Sequence, residues 1–233
     1  MSQVSAFFER AAWRTQRLAD AARGVDFLTA VQPSSVGLDA SASFRSSPSG
    51  GRYLRRVLED LNVTPQDAIV DVGCGKGSAM RTMLEFPFCR VDGIEVSGLI
   101  AAVAASNFKR LGADRATVYL SDAAAFRLYD VYSFVCFYNP FPGAVMETVV
   151  TALAGSLQQR ERHLTVIYNN PTCNDALIHS GLFERVADYP DQWGNGIAVY
   201  CHGESRLRAP SRRAWSRCGR HSRDSAFPGA LSG

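Results

Sequence analysis

The stretch AIVDVGCGKG, residues 68–77, is the part of the sequence that decides the fold. It joins a short apolar run to a glycine-rich turn, and the residues that follow it, SAMRTMLEF, have the composition of a helix. A strand, a glycine loop and a helix in this order begin a βαβ unit, in which the glycines let a ligand approach the backbone closely. The stretch therefore predicts an α/β domain with a ligand-binding loop at residues 71–77.

The alternation of apolar runs and helical stretches continues along the chain. Further runs read CRVDGIEV, ATVYLSD, VYSFVCFYNP and HLTVIYNN, and helical stretches separate them. The last two runs, LFERVADYP and NGIAVYCHG, are joined by DQWG without a helix, which predicts an antiparallel hairpin. The sequence thus predicts a seven-stranded α/β sheet, mostly parallel, with an antiparallel C-terminal hairpin and helices on both faces.

Three parts of different composition follow one another in the chain. Residues 1–51 contain a predicted amphipathic helix and a serine-rich loop, and we expect them to form a cap over the ligand pocket. Residues 52–205 form the predicted catalytic domain. Residues 206–233 are rich in arginine and serine without periodicity, which predicts a disordered tail. The aromatic residues of the first helix, Phe7, Phe8 and Trp13, are expected to be ordinary packing residues.

Composition and charge exclude several classes of protein. With 233 residues, 46% of them hydrophobic and 20% charged, the chain suits one globular domain with short appendages and not a disordered protein. The formal net charge of +3 arises in the tail, where residues 206–233 hold seven arginines and one aspartate. Because the remainder is mildly acidic, nothing favours nucleic-acid binding by the folded domain.

The lengths of the apolar runs and the spacing of the cysteines indicate the cellular compartment. No apolar run approaches the roughly 18 to 20 residues that a membrane span needs. The six cysteines form no CxxC pair and have no histidine at metal-ligand spacing, so we expect buried thiols in a reducing compartment and no metal. A cytoplasmic protein without a membrane segment is the expectation.

The spacing of the glycines distinguishes two kinds of ligand. Gly73, Gly75 and Gly77 follow a GxGxG pattern, whereas loops that bind a dinucleotide pyrophosphate follow GxGxxG. Asp71 precedes the glycines, and a carboxylate is unfavourable beside a pyrophosphate. The same carboxylate suits a ligand that carries an ammonium or a sulfonium group.

Two further acids follow the next two predicted strands. Glu95, in the run GIEV, lies at the end of the second predicted strand, 20 residues after Gly75, where its carboxylate can accept from both hydroxyls of a ribose. Asp122, in LSDAAAF, can accept from the exocyclic amine of adenine. Since the carboxyl ends of parallel strands meet along one edge, Asp71, Glu95 and Asp122 are expected to converge on one crevice.

In this order, the motifs resemble those of the class I S-adenosylmethionine-dependent methyltransferases, which have a Rossmann-like fold. The resemblance rests on DVGCGKG, IEVS, SDAAAF and the strand-ending YNPFP, and it covers about residues 48–203. It implies S-adenosyl-L-methionine as the cofactor, and we expect the ammonium of Lys76 to point outward or to reach the cofactor's carboxylate. The cofactor-binding residues that it implies are Asp71, Gly73, Cys74, Gly75, Gly77, Glu95, Val96, Asp122, Ala123 and Asn139.

The motif Tyr138-Asn139-Pro140-Phe141-Pro142 is similar to the N-P-P-[FY] motif of amino-group methyltransferases. The resemblance implies that Asn139 and the Pro140 carbonyl accept hydrogen bonds from a target amine, and that an aromatic ring stacks on that amine. Phe141 replaces the second proline of the pattern. Asn139, Pro140 and Phe141 are the candidate catalytic residues, and the acceptor is expected to be an amino nitrogen of a small molecule or protein.

Other polar residues near the predicted strand ends are weaker candidates for the acceptor site. Tyr168-Asn169-Asn170-Pro171 repeats the polar strand end of YNPFP and is expected to line the acceptor side of the crevice. His163 and His179 are interpreted as surface or core residues, because a methyl transfer to a neutral amine does not require a positioned base.

Two alternative functions stay open at this point. A nicotinamide-dependent (NAD) oxidoreductase would use a similar glycine loop, but the GxGxxG spacing and a Tyr/Lys or His constellation are missing. A non-catalytic module would bind the cofactor tightly without turnover.

Overall fold

The computed structural model describes residues 3–31, 49–138, 142–191 and 196–207, with side chains described from residue 13 onward. Within these ranges the chain alternates helices and strands after a long first helix. The helices are α1 (Gln3–Ala22), α2 (Gly51–Asp60), α3 (Ser78–Met83), α4 (Gly98–Leu111), α5 (Gly143–Gln159) and α6 (Asn174–His179). The strands are β1 (Ala68–Val72), β2 (Arg90–Glu95), β3 (Ala116–Leu120), β4 (Phe134–Tyr138), β5 (Leu164–Asn169), β6 (Glu184–Tyr189) and β7 (Ile197–His202).

The seven strands form one sheet in the order β3-β2-β1-β4-β5-β7-β6. Neighbouring strands from β3 to β5 pair in parallel, whereas β7 is antiparallel to both β5 and β6. The predicted sheet with its C-terminal hairpin is therefore confirmed. The strand order reverses between β1 and β4, and an open α/β sheet binds its ligands at the carboxyl edge beside such a reversal.

Alternate residues of a strand point to opposite faces of the sheet. Because both faces carry apolar side chains, helices cover both of them. In β1, Val70 and Val72 belong to a core that contains residues of α5, such as Val149 and Leu153. Ile69 points to the other face, into a core with residues of α2, α3 and α4. All five residues of β1 are buried, which explains why four of them are apolar and makes the fifth, Asp71, an exception.

The N-terminal helix is packed less than the sequence suggested. Trp13, expected to be a packing residue, is 44% exposed, and Leu18 is 72% exposed. The prediction for Trp13 is therefore wrong: its ring is left at the surface, with the Arg17 guanidinium 5.6 Å from the ring centroid. Phe7, Phe8 and the serine-rich residues 32–48 lie outside the described side chains, so the cap over the pocket stays a prediction.

The first two residues of the predicted tail belong to the folded domain. Arg206 forms an ion pair with Asp67, and its guanidinium lies 5.5 Å from the centre of the Phe134 ring. Leu207 forms an antiparallel bridge with Leu61. Residues 208–233 lie outside the described part of the chain. Among the described residues, no helix is both long enough and apolar enough to cross a lipid bilayer.

Candidate cofactor site

The glycine loop, residues 73–77, follows β1 at the carboxyl edge of the sheet. Its three glycines, Gly73, Gly75 and Gly77, have φ angles of 76°, 55° and 86°, in the left-handed region that favours glycine. The N–H groups of Gly73 and Cys74 donate to the carbonyl of Ile94 at 2.9 and 3.0 Å. The loop is thereby tied to the end of β2.

Gly77 also meets a steric requirement. A Cβ at this position would lie 2.5 Å from the ring of Phe108 on α4. The loop therefore packs directly on that ring, and a side chain at residue 77 would push the loop and α4 apart.

Asp71 lies at the base of the loop, on β1, with only 2% of its surface exposed. Its Oδ2 atom has no hydrogen-bond partner among the described residues. Burial raises the pKa of Asp71 to about 7, and the negative charge of Glu95 adds to the shift. A buried carboxylate oxygen without a partner is an unusual feature that requires an explanation.

Glu95 ends β2 beside the loop and is 7% exposed. Its Oε2 accepts from the Gly75 N–H at 3.0 Å, and its Oε1 accepts from the Ser97 N–H at 2.9 Å. Burial raises the pKa of Glu95, although these backbone hydrogen bonds act in the opposite direction. Because each carboxylate oxygen has two lone pairs, both oxygens retain the capacity to accept from a ligand hydroxyl.

The remaining predicted cofactor residues lie along the neighbouring strand ends. Val96 is 48% exposed. Asp122 is exposed and its Oδ1 accepts from the Ala124 N–H at 2.9 Å, while the carbonyl of the buried Ala123 accepts from Tyr129 Oη at 2.8 Å. The structure thus brings Asp71 and Glu95 into electrostatic contact, and it places Asp122 at the same edge with a bond inside its own turn.

The side chains of two loop residues, Cys74 and Lys76, contact other parts of the protein. The Cys74 side chain is buried in the core, where a Cβ on Gly93 would lie 2.6 Å from its Sγ. Only the Cys74 backbone can therefore face a ligand, and burial raises the pKa of its thiol. The ammonium of Lys76 is paired with Asp26, which holds the loop from outside: its Nζ lies 2.5 Å from Asp26 Oδ2 and its side chain is 10% exposed.

The three candidate catalytic residues, Asn139, Pro140 and Phe141, lie outside the described residues. Tyr138, which precedes them, is 37% exposed and pairs with Asn169, so β4 and β5 end side by side. Asn170 follows with a φ of 52°, the only non-glycine residue with a positive φ in the described part of the chain. Strained backbone of this kind clusters at functional sites, and these strand ends are where the sequence predicts the acceptor.

Sequence reasoning missed Asp26 and Asn107, which hold the loop from outside. Asn107 on α4 is 2% exposed and bonds the backbone of both Asp26 and Lys76. These residues are 81 and 31 positions from Asn107 along the chain, and no local pattern in the sequence marks them as partners.

Comparisons with known proteins agree with this geometry at the level of the fold. No family model matches the chain, and no curated protein matches it. Among solved structures, the chain is similar to a protein of the NADB-Rossmann superfamily from Streptococcus agalactiae, with a TM-score of 0.52 and 19% identity over 69% of this chain and 72% of that one. It is also similar to the glycopeptide N-methyltransferase MtfA solved with S-adenosyl-L-methionine, with a TM-score of 0.51 and 14% identity over 66% and 93% of the two chains.

A third similar structure is the mitomycin 7-O-methyltransferase MmcR, with a TM-score of 0.50 and 17% identity over 64% of this chain and 52% of that one. The chain has the Rossmann-like methyltransferase fold. Because one neighbour is an N-methyltransferase and another an O-methyltransferase, this methyltransferase fold leaves the acceptor atom open.

Proposed function

We propose that the chain is an S-adenosylmethionine-dependent methyltransferase that acts on an amino nitrogen of a small molecule or a protein. The observation that supports the proposal most is the carboxylate of Asp71. It is buried at the base of the glycine loop, one of its oxygens lacks a partner among the described residues, and the negative charge of Glu95 acts on it. A ligand that brings a positive charge would satisfy this group.

Electrostatics separates this cofactor from the alternative, NAD. Asp71 and Glu95 are like charges in a buried site, and the charge of Glu95 disfavours the ionised form of Asp71. A ligand with an ammonium and a sulfonium relieves that repulsion, whereas a pyrophosphate adds negative charge to it. The residues present therefore fit S-adenosylmethionine and do not fit a dinucleotide.

Each group of residues has a distinct role under this proposal. The positive-φ glycines keep the loop free of side chains, so that Asp71 can receive the methionyl ammonium. Glu95, held by the N–H groups of Gly75 and Ser97, presents fixed acceptors to the ribose hydroxyls. Val96, Asp122 and Ala123 line the adenine side.

When bound, S-adenosylmethionine supplies an electrophilic methyl group on a sulfonium, which is a good leaving group. The chain's contribution is then alignment of the acceptor, which is worth several powers of ten in rate. The adjoining ends of β4 and β5 are the elements that position it. The polar residues assigned to this task are Asn139 of the YNPFP motif, together with Asn169 and Asn170 at the end of β5.

The proposal is tested by calorimetric titration with S-adenosylmethionine, S-adenosylhomocysteine and NAD. We expect both sulfur nucleosides to bind and Glu95→Ala to weaken them by about 2 to 4 kcal/mol, since two ribose hydrogen bonds to a charged group are lost. Binding of NAD alone would favour the oxidoreductase. Tight binding of the cofactor without methyl transfer to any amine acceptor would favour the non-catalytic module.

A further part of the proposal concerns the acceptor motif. Asn139→Ala should reduce turnover far more than cofactor affinity, because its amide is assigned to the acceptor. Equal losses in turnover and in affinity would assign Asn139 to the cofactor instead.

We also propose a cytoplasmic location, the reducing compartment in which free thiols such as those of Cys74 and Cys136 persist.

A further inference from the structure

The end of α1 and the residues that follow it contact the glycine loop and its neighbouring helices from outside. We call residues 20–29 the N-terminal strap. Asp20, with 3% of its side chain exposed, pairs with Arg81 of α3 at 2.8 Å. Phe27 is 2% exposed and its ring centre lies 5.6 Å from that of Phe108 on α4. The strap is therefore held on the two helices that flank the glycine loop.

One buried side chain connects the strap to the loop backbone. Asn107 accepts from the Asp26 N–H through Oδ1 at 2.9 Å, and its Nδ2 donates to the Asp26 carbonyl at 2.9 Å. The same Nδ2 donates to the carbonyl of Lys76 at 3.1 Å. A single amide thus fixes the backbone of the strap relative to the middle of the glycine loop.

An ion pair makes the second connection. Lys76 Nζ lies 2.5 Å from Asp26 Oδ2, and Asp26 Oδ1 accepts from the Thr29 N–H at 3.0 Å. Partial burial raises the pKa of Asp26, but the hydrogen bonds from Lys76 and Thr29 outweigh it and leave this pKa below its ordinary value. Asp26 is therefore ionised near neutral pH and pairs with the lysine that separates Gly75 from Gly77.

The position of Lys76 gives these contacts their significance. The N–H of Gly75, one residue before it, donates to Glu95, the carboxylate assigned to the ribose. Gly77, one residue after it, packs on the Phe108 ring that also contacts Phe27. A shift of Lys76 would therefore move the loop N–H that holds Glu95.

We propose that Asp26, Asn107 and Lys76 are positioning residues, through which the N-terminal strap sets the geometry of the cofactor loop and so the affinity for cofactor. The effect on affinity rests on the proposed function, whereas the coupling of strap to loop does not. None of the three side chains needs to touch the cofactor for this role. In particular, Lys76 serves the strap and not the cofactor's carboxylate.

The first test uses no ligand. Hydrogen exchange of the peptide that spans residues 71–80 is compared in the wild type, Asp26→Asn and Lys76→Met. Both variants should exchange this peptide several-fold faster, because the ion pair no longer restrains the loop. Arg55→Met and Glu85→Gln are matched controls, since this ion pair at 2.7 Å also joins two separate elements but does not contact the loop. Unchanged exchange in Asp26→Asn and Lys76→Met would overturn the coupling.

The second test measures the affinity for S-adenosylhomocysteine in the same variants and in the double variant Asp26→Asn/Lys76→Met. Loss of a partly exposed ion pair should weaken binding about threefold to fivefold in each single variant, with no further loss in the double variant. Additive losses, or tighter binding in Asp26→Asn, would mean that Lys76 acts on the cofactor directly, and unchanged binding in Asp26→Asn would mean that the ion pair does not set the affinity. Each of these results would overturn the assignment. If the wild type itself does not bind, the proposed function fails, while the exchange result still decides the coupling.

Discussion

Asp71 is buried with one carboxylate oxygen that lacks a partner among the described residues, and an ionised group in that state costs folding free energy. Its pKa is about 7 in the folded protein, against an ordinary value of 3.8. Between these values the folded protein holds a proton that the unfolded chain has lost. The contribution of Asp71 to stability is therefore favourable below about pH 4 and is lost as the pH rises through 7.

Asp71→Asn should accordingly stabilise the ligand-free protein at pH 8, by roughly 1 to 3 kcal/mol, and change its stability little near pH 4. Urea unfolding of both proteins at the two pH values measures the difference. Asp122→Asn is the matched control, because Asp122 lies at the same edge of the sheet but is exposed. A lower stability of Asp71→Asn at pH 8 would show that the carboxylate has a partner after all.

The same carboxylate should make cofactor binding depend on pH. A ligand ammonium prefers the ionised form of Asp71, so binding of S-adenosylhomocysteine should tighten on the order of tenfold from pH 5.5 to 7.5. Asp71→Asn should bind more weakly and with a flatter profile, and any slope that remains would come from Glu95. Calorimetry at several pH values tests this, and an equal slope in both proteins would remove Asp71 from the ammonium site.

At the scale of elements, one arginine joins the end of α5 to the segment before β4. Arg162 Nε donates to the Tyr132 carbonyl at 2.7 Å, and its Nη2 donates to the Tyr129 carbonyl at 2.8 Å and to Ser156 Oγ at 3.0 Å. Its Nη1 donates to the carbonyls of Ser156 and Arg160. The guanidinium thus serves five acceptors, two of which are the carbonyls of Ser156 and Arg160 at the end of α5.

Arg162→Met should lower the free energy of unfolding by about 2 to 4 kcal/mol, because buried carbonyls lose a charged donor. Arg162→Lys should rescue only part of this loss, since an ammonium lacks the planar arrangement of five N–H groups. Arg160→Met, at an exposed arginine two residues away, is the control. Affinity for the cofactor should stay unchanged, and a selective loss of affinity without loss of stability would refute the structural role.

The elements differ in how far their sequences predict them. β1 is buried at every residue and its sequence is apolar apart from Asp71, and the hairpin of β6 and β7 follows from two apolar runs with no helix between them. Asp71 and Glu95 were predictable because parallel strands end at one edge. The contact of Asn107 with Asp26 was not, since it depends on how α4 packs against a segment 81 residues away.

For Lys76 and Trp13, the sequence predicts the residue's neighbourhood but not the contacts that its side chain makes. The sequence places Lys76 beside a cationic cofactor, yet its position depends on Asp26, which lies 50 residues earlier. Trp13 is an aromatic residue that the sequence predicts to pack, yet it is exposed, because a side chain's apolar character does not reveal whether another element covers it. The catalytic assignment of Asn139, Pro140 and Phe141 stays a prediction.

At the scale of the whole molecule, Arg206 lies at the edge of the sheet opposite to the glycine loop. Asp67 precedes β1 at its amino end, where it pairs with Arg206 and accepts from Ser133 Oγ at 2.8 Å. The Arg206 carbonyl accepts from the Asn62 N–H at 3.0 Å. The glycine loop follows the carboxyl end of the same strand, so Arg206 fastens the beginning of the tail on the far side of the domain.

Two truncations distinguish the contacts of Arg206, which we call the anchor, from the rest of the tail. A chain that ends at Leu207 should keep the stability and the cofactor affinity of the full chain, because its anchor is intact. A chain that ends at Ser205 should lose about 1 to 3 kcal/mol of unfolding free energy, since Asp67 is left buried without its cation. Urea unfolding and S-adenosylhomocysteine titration of both chains measure these effects. Equal stability of the two truncations would show that the ion pair is dispensable, and weaker cofactor binding in the chain that ends at Leu207 would show that the tail reaches the opposite edge.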